Sequence, residues 1–216
     1  MPSETTLNTK NLAALGAERL AELLLDVIAG DAAAKRRLRL ELASRSGGDV
    51  ASEIRKRLVS IARSRSFVDW RKVKDLARDL EAQREAIAAH VAVTSPGEAF
   101  DLLWRMLELA PSIYDRCDDS NGVIGSVIAS ARDDLGAIAA EAGQPVGALA
   151  DRVFAAVRAN DYGQFDDLIS LTAQALGLDG LNRLKVLFEE KAADASVVAP
   201  GGERPVAGLS ARGPIY

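Results

Sequence analysis

Apolar side chains return every three or four residues along most of this chain, and nowhere does an apolar–polar alternation of period two persist. A period near 3.6 puts such residues on one face of a helix. Leu20, Leu23, Leu24, Val27 and Ile28 make one such stripe, and Val50, Ile54, Leu58 and Ile61 make another. Val73, Leu76, Leu80, Ile87 and Val91 mark the longest predicted helix, Trp70 to about Val91. From Phe100 to Leu109 apolar residues wrap more than one face, which predicts the central helix of the domain. Further stripes run through Val123–Ile138, Val146–Val157, Phe165–Leu176 and Leu181–Phe188. The fold class is therefore all-α: antiparallel helical hairpins stacked as a bundle or short α-solenoid. Aromatics are only 5% of the 216 residues, so Leu, Ala, Val and Ile must fill the core.

Helix boundaries are readable from cap chemistry. Gly30 closes the first stripe and Asp31 is placed to cap a basic helix reaching Ser44, with Leu38 and Leu42 inside and Gly47–Gly48 at its end. Ser64–Val68 is a connector, after which Asp69 caps the long helix. Ser95, Pro96 and Glu98 stand at N-cap, N1 and N3, a capping-box pattern, and mark a sub-boundary near 93–96. Pro111 should kink or end the central helix. The helical pattern stops near Ala193, so residues 7–193 read as the helical domain and the Gly- and Pro-rich 194–216 as an irregular, extended or disordered tail. Ala14–Leu20 and Ala175–Leu181 share the pattern A-L-G-x-acid-x-L, which reads as a local helix–turn–helix rather than as a repeat of fixed period.

Several classes of protein fall away. The single cysteine, Cys117, allows no internal disulfide and suits a reducing cytoplasm. There is no secretion signal and no apolar run long enough to span a bilayer, so no membrane partner is expected. Charge is segregated: thirteen Lys and Arg against four acids between Lys35 and Lys74 give that segment +9, while the rest carries −13.

The runs Leu15–Ala21, Gly30–Leu38, Arg63–Trp70, Arg116–Ser120 and Asn160–Asp166 together resemble a family of uncharacterised bacterial helical proteins, largely proteobacterial, known only as a domain of unknown function. The resemblance spans most of residues 7–190. It implies helical hairpins and a bacterial cytoplasmic setting, and it brings no activity with it. Members of that family look longer, which would leave a helical face uncovered here.

No catalytic or cofactor pattern passes a spacing test. Cys117-x-Asp119-x-Asn121-Gly122 imitates a calcium loop, but positions one and twelve are Cys117 and Ile128, where an acid is needed. His90 and Cys117 lack a third soft ligand, and no phosphate-binding glycine loop occurs. No cofactor, metal or catalytic residue is assigned, and an enzyme with an unfamiliar site is the least favoured reading.

The candidate binding residues are Arg63, Arg65, Asp69 and Trp70 in the connector, Arg116, Asp118 and Asp119 after the central helix, and Asp161 with Tyr162 in a later turn. Arg63–Trp70 could be a recognition loop with arginine forks and a Trp anchor. The favoured alternative is structural: Phe67 and Trp70 staple the loop to the core while its arginines bond the acidic turns. The basic segment could likewise hold phosphates, although internal pairing with Asp115, Asp118, Asp119, Asp161, Asp166 and Asp167 is favoured. A non-enzymatic protein-interaction or scaffold module of helical-repeat type, taking another protein or peptide, leads; a nucleic-acid-associated protein using residues 35–74 follows. A homo-oligomer is compatible with either.

Overall fold

The structure, a computed structural model, describes residues 5–45 and 49–198, with side chains for all of these but Ser44 and 195–198. Its elements are α1 (Thr9–Ala13), α2 (Ala17–Val27), α3 (Ala32–Arg45), α4 (Val50–Arg63) and α5 (Trp70–Ala86). The long helix then continues through a π-helical turn, Ile87–Val91, into a last α turn, α6 (Ala92–Thr94). After these come α7 (Pro96–Tyr114), α8 (Val123–Ile138), α9 (Val146–Arg158) and α10 (Leu168–Val198). Among the described residues the only β contact is an isolated parallel bridge between Val68 and Cys117. The all-α reading is correct.

α7 is the central helix, as its wrapped apolar pattern requires. Phe100, Leu103, Trp104, Met106, Leu107 and Ile113 are all buried. α7 packs against α4 on one side and α8 on another; α5 packs against α3 and α8; α10 pairs with α9 and reaches α8. One apolar cluster runs through the bundle from Leu40 to Leu184. At two positions the sequence echo describes a real backbone event. Gly16 (φ 83°, ψ 158°) precedes α2, and Gly177 (φ 55°, ψ −167°) breaks α10 into two helical stretches. Both lie in a region of backbone space that side chains with a Cβ avoid, so the shared glycine has a shared geometric cause.

Several boundary and burial expectations are corrected. In α3, Leu40 is buried and Leu42 is 67% exposed, the reverse of the expected inward Leu42. The inward face is Arg36, Leu40 and Ala43, because Arg36 turns toward α5 to meet a carboxylate there. Gly47 and Gly48 lie outside the described residues. Ser95 is the N-cap of α7 and Pro96 its first residue, but the capping box does not form. Ser95 N–H already bonds the Val91 carbonyl at 2.8 Å, so Glu98 is free to turn outward and pair with Arg55. Pro111 neither kinks α7 apart nor ends it. The helix runs on to Tyr114, because only the last turn follows the proline and little bonding is lost. α10 reaches Val198, so residues 194–198 of the expected irregular tail are helical. No Gly or Pro interrupts the chain between Gly180 and Pro200; residues 199–216 lie outside the described part. α2 forms as expected, but within it no residue is buried, and Val27 is 80% exposed; Ile28, just beyond, is its anchor.

Candidate functional site

Two polar constellations stand out. The first gathers the expected binding residues at one end of the bundle. The connector 64–69 is pinned by the segment that leaves α7: Val68 N–H donates to the Arg116 carbonyl at 2.8 Å. Arg116 extends its guanidinium back to Ser64 Oγ (3.3 Å), the Ser66 carbonyl (3.4 Å) and the Ile61 carbonyl (3.5 Å). It thereby adds a second donor to the Ile61 carbonyl, which already takes Ser64 N–H, in the last turn of α4, where a cation is favoured. Asp69 caps α5 by accepting from Arg71 N–H at 3.0 Å.

Asp119 is the organiser of the next turn. Its carboxylate oxygens accept from Ile124 N–H (2.9 Å) and Gly125 N–H (2.8 Å), closing the start of α8. The calcium-like spacing is thus a helix cap. Asp118 accepts from Ser120, which holds its carboxyl below the ordinary range. Tyr162 reaches over from the α9–α10 turn, donating its hydroxyl to Asp115 Oδ1 at 2.5 Å, and its ring lies 5.1 Å from that of Tyr114. The bond to Asp115 raises the Tyr162 hydroxyl above its ordinary pKa. Asp161 is exposed beside it. Burial, then the nearby Asp119 charge, pushes the Cys117 thiol up.

The expected stapling of the connector by its aromatics is overturned. Phe67 is 72% exposed and Trp70 65% exposed. Backbone pairing at Val68 and the Arg116 guanidinium hold the loop instead, leaving both rings outward. Arg71 lies over the Trp70 ring at 5.1 Å. Arg63 and Arg65 are exposed and make no ion pair among the described residues. They do not bond the acidic turns.

The second constellation was missed in the sequence. Asp79 on α5 is buried, 1% exposed, and two arginines grip it from different helices. Arg36 Nε on α3 donates to Oδ1 at 2.8 Å; Arg57 Nε on α4 donates to Oδ2 at 2.7 Å, with its Nη2 on the same oxygen. Three helices are tied by one carboxylate, and the trio keeps a net charge of +1. The basic segment does pair with the acidic remainder, but through Asp79, Glu85 (with Arg37) and Glu98 (with Arg55), not through the acidic turns expected. A signal for Asp79 was available: Asp79 and Gln83 interrupt the Val73–Leu80–Ile87 stripe with polar residues at inward spacing. Beside this trio lies a cavity of about 280 Å³ between α3 and α4.

Fold and sites define a class: an all-α bundle whose inter-helix polar links are arginine–carboxylate bridges and whose loops are fixed by caps. A family model described as a family of unknown function (DUF6880) matches residues 2–213, nearly the whole chain. The chain belongs to that family. No curated protein and no solved structure matches it. No helix among the described residues is long and apolar enough to cross a membrane.

Proposed function

We propose that the protein is a non-enzymatic interaction module of the bacterial cytoplasm, and that it takes a partner protein at the connector end of the bundle. One observation carries this reading: Phe67 on the connector and Trp70 at the start of α5, two of the few aromatics in the chain, stand outward where the Val68–Arg116 backbone bond pins the chain. Exposing large rings has a solvation cost that a lone domain gains nothing from, and rigid aromatic anchors lose little entropy on binding. Arg63, Arg65, Arg71 and Lys72 flank them, so the matching partner surface is acidic with an apolar centre.

Photo-crosslinking tests this. A benzoylphenylalanine placed at Phe67 in the full chain should capture one protein through an acidic segment, and the capture should vanish when Trp70→Ala is added. The same photoprobe at Val186, exposed on α10, is the control. Equal, non-selective capture from both positions defeats the reading.

Exposed rings interleaved with unpaired cations also fit single-stranded nucleic acid, whose bases stack on aromatics while phosphates meet Lys and Arg. The second reading predicts quenching of Trp70 fluorescence by oligonucleotide in a Trp104→Phe background, falling steeply with salt. Unchanged fluorescence at low salt removes it.

A further inference from the structure

The Arg36–Asp79–Arg57 trio has an unbalanced charge, and the imbalance faces space. Asp79 orients both guanidiniums but neutralises only one of them. Arg36 spends Nε on the carboxylate and has no partner for its two Nη groups among the described residues. Arg57 turns Nη1 to Ser60 Oγ at 3.3 Å. Both arginines wall the cavity of about 280 Å³, and Arg39, which has no ion pair among the described residues, joins them there. Lys56 lies on the same wall, paired at 2.7 Å with Glu53, the one acid lining the space.

Gln83, 1% exposed on α5, lines the same cavity and offers it a carboxamide. Leu40 supplies an apolar wall. Counting Asp79 and Glu53 against four cations, the site holds an excess of two positive charges beside a low-dielectric core.

We propose that this cavity binds a compact phosphate-bearing anion, either inorganic phosphate or a small phosphorylated metabolite, held by Arg36, Arg39 and Arg57 with Gln83 reading its neutral side. The excess of two charges matches a dianionic phosphate, and guanidinium forks fit its oxygens in pairs. The volume sits at the small end of ligand clefts, which run from roughly 300 Å³ upward, and so suits a compact ligand. Lys56 is released from Glu53 to the ligand or stays as a rim charge; the arginines set the affinity in both cases. The site is separate from the connector surface.

The experiment is calorimetric titration of the full chain with inorganic phosphate and, separately, glycerol 3-phosphate, against sodium chloride of matched ionic strength. Saturable phosphate binding is expected, weakened about tenfold or more by Arg39→Gln, the size of one charge-assisted bond. Arg39 is exposed and holds no structural bond, so folding is kept. Arg65→Gln, equal in charge change but at the connector, should leave binding intact. Tighter binding of the glycerol ester identifies a metabolite site; equal binding identifies a site for phosphate itself. No saturable binding beyond the chloride control, or equal weakening by Arg39→Gln and Arg65→Gln, overturns the proposal.

Discussion

Arg36 on α3 and Asp79 on α5, 43 residues apart in sequence, meet through a 2.8 Å hydrogen bond that fixes which face of α3 looks inward. Arg57 completes the grip from α4. A buried carboxylate held by two guanidiniums is a poor source of net stability but a strong source of specificity, since removing one partner leaves charge stranded. Asp79→Asn should therefore destabilise by about 3 kcal/mol. For a chain of this size that lowers Tm by about 6–12 °C. The triple change Arg36→Met, Asp79→Leu, Arg57→Met should cost less than the single one. Thermal and urea melts of the two variants decide it: a triple variant weaker than Asp79→Asn contradicts the stranded-charge account.

How much of this was legible beforehand follows from what each helix buries. Stripes in α4 and α7 bury apolar residues alone, so periodicity placed Ile54, Leu58, Phe100 and Leu107 correctly. α3 buries Arg36 with Leu40, and a pattern reader that assigns every arginine to solvent turns that helix the wrong way. Of the candidate site residues, Asp69, Arg116 and Asp119 are structural: they serve helix ends, and short-range spacing carried that information for the two aspartates but not for Arg116. The outward Phe67 and Trp70 could not be read, because burial statistics favour the opposite and the backbone clamp from Arg116 arrives from about fifty residues away.

Capping separates two positions that look alike in sequence. Asp119 accepts two backbone N–H bonds at the start of α8, so Asp119→Ala should cost about 1–2 kcal/mol. Ser95, at the start of α7, makes no side-chain cap bond. Ser95→Ala should stay within about 0.5 kcal/mol, the range of substitutions that break nothing. Urea denaturation of both variants checks the contrast; a Ser95→Ala loss equal to that of Asp119→Ala would show a cap where none is drawn.

α2 offers a prediction about local stability. Its apolar face covers no core, and Leu24 and Leu25 are 44% and 64% exposed. The α1–α2 hairpin should open independently, with amides in 17–27 exchanging far faster than those in α7. Leu24→Ser should leave the global melt unchanged, whereas Leu58→Ala, at a fully buried position, should cost about 2–5 kcal/mol. Hydrogen exchange by mass spectrometry resolves the two segments; equal protection of α2 and α7 would mean the hairpin is covered.

Alkaline pH should loosen the bundle at the same end where the connector is clamped. Burial raises the Cys117 thiol above its ordinary 9.0 and the Tyr114 hydroxyl above its ordinary 10.0. The Asp119 charge adds to both shifts. For an acid whose folded pKa is raised, the folded state binds its proton more tightly than the unfolded one. Its stabilising contribution is complete below the unfolded value and is lost as pH rises through the folded value. The denaturation midpoint should hold steady toward pH 9 and then fall. Cys117→Ser should remove the first part of that fall, and Tyr114→Phe a share of the later part, to which Tyr162 also contributes through its bond to Asp115.

Two glycines within α8 provide the sharpest packing test. A Cβ on Gly136 would meet Leu171 Cδ2 at 2.9 Å and Cβ at 3.0 Å, so this glycine is what lets α10 lie close against α8. On Gly125 a Cβ would have ordinary contacts, 3.6 Å to Asp119 Oδ2 and 3.7 Å to the Tyr114 hydroxyl. Helix propensity favours alanine at both positions by up to about 1 kcal/mol. At Gly136 the clash outweighs it, because overpacking between helices costs about 1–3 kcal/mol and Leu171 would be met at its Cβ, which cannot swing away. Gly125→Ala should therefore raise the melting temperature slightly and Gly136→Ala should lower it. If both variants move the same way, the close approach of α8 and α10 is not what fixes the glycine at 136, and the packing of that pair has to be redrawn.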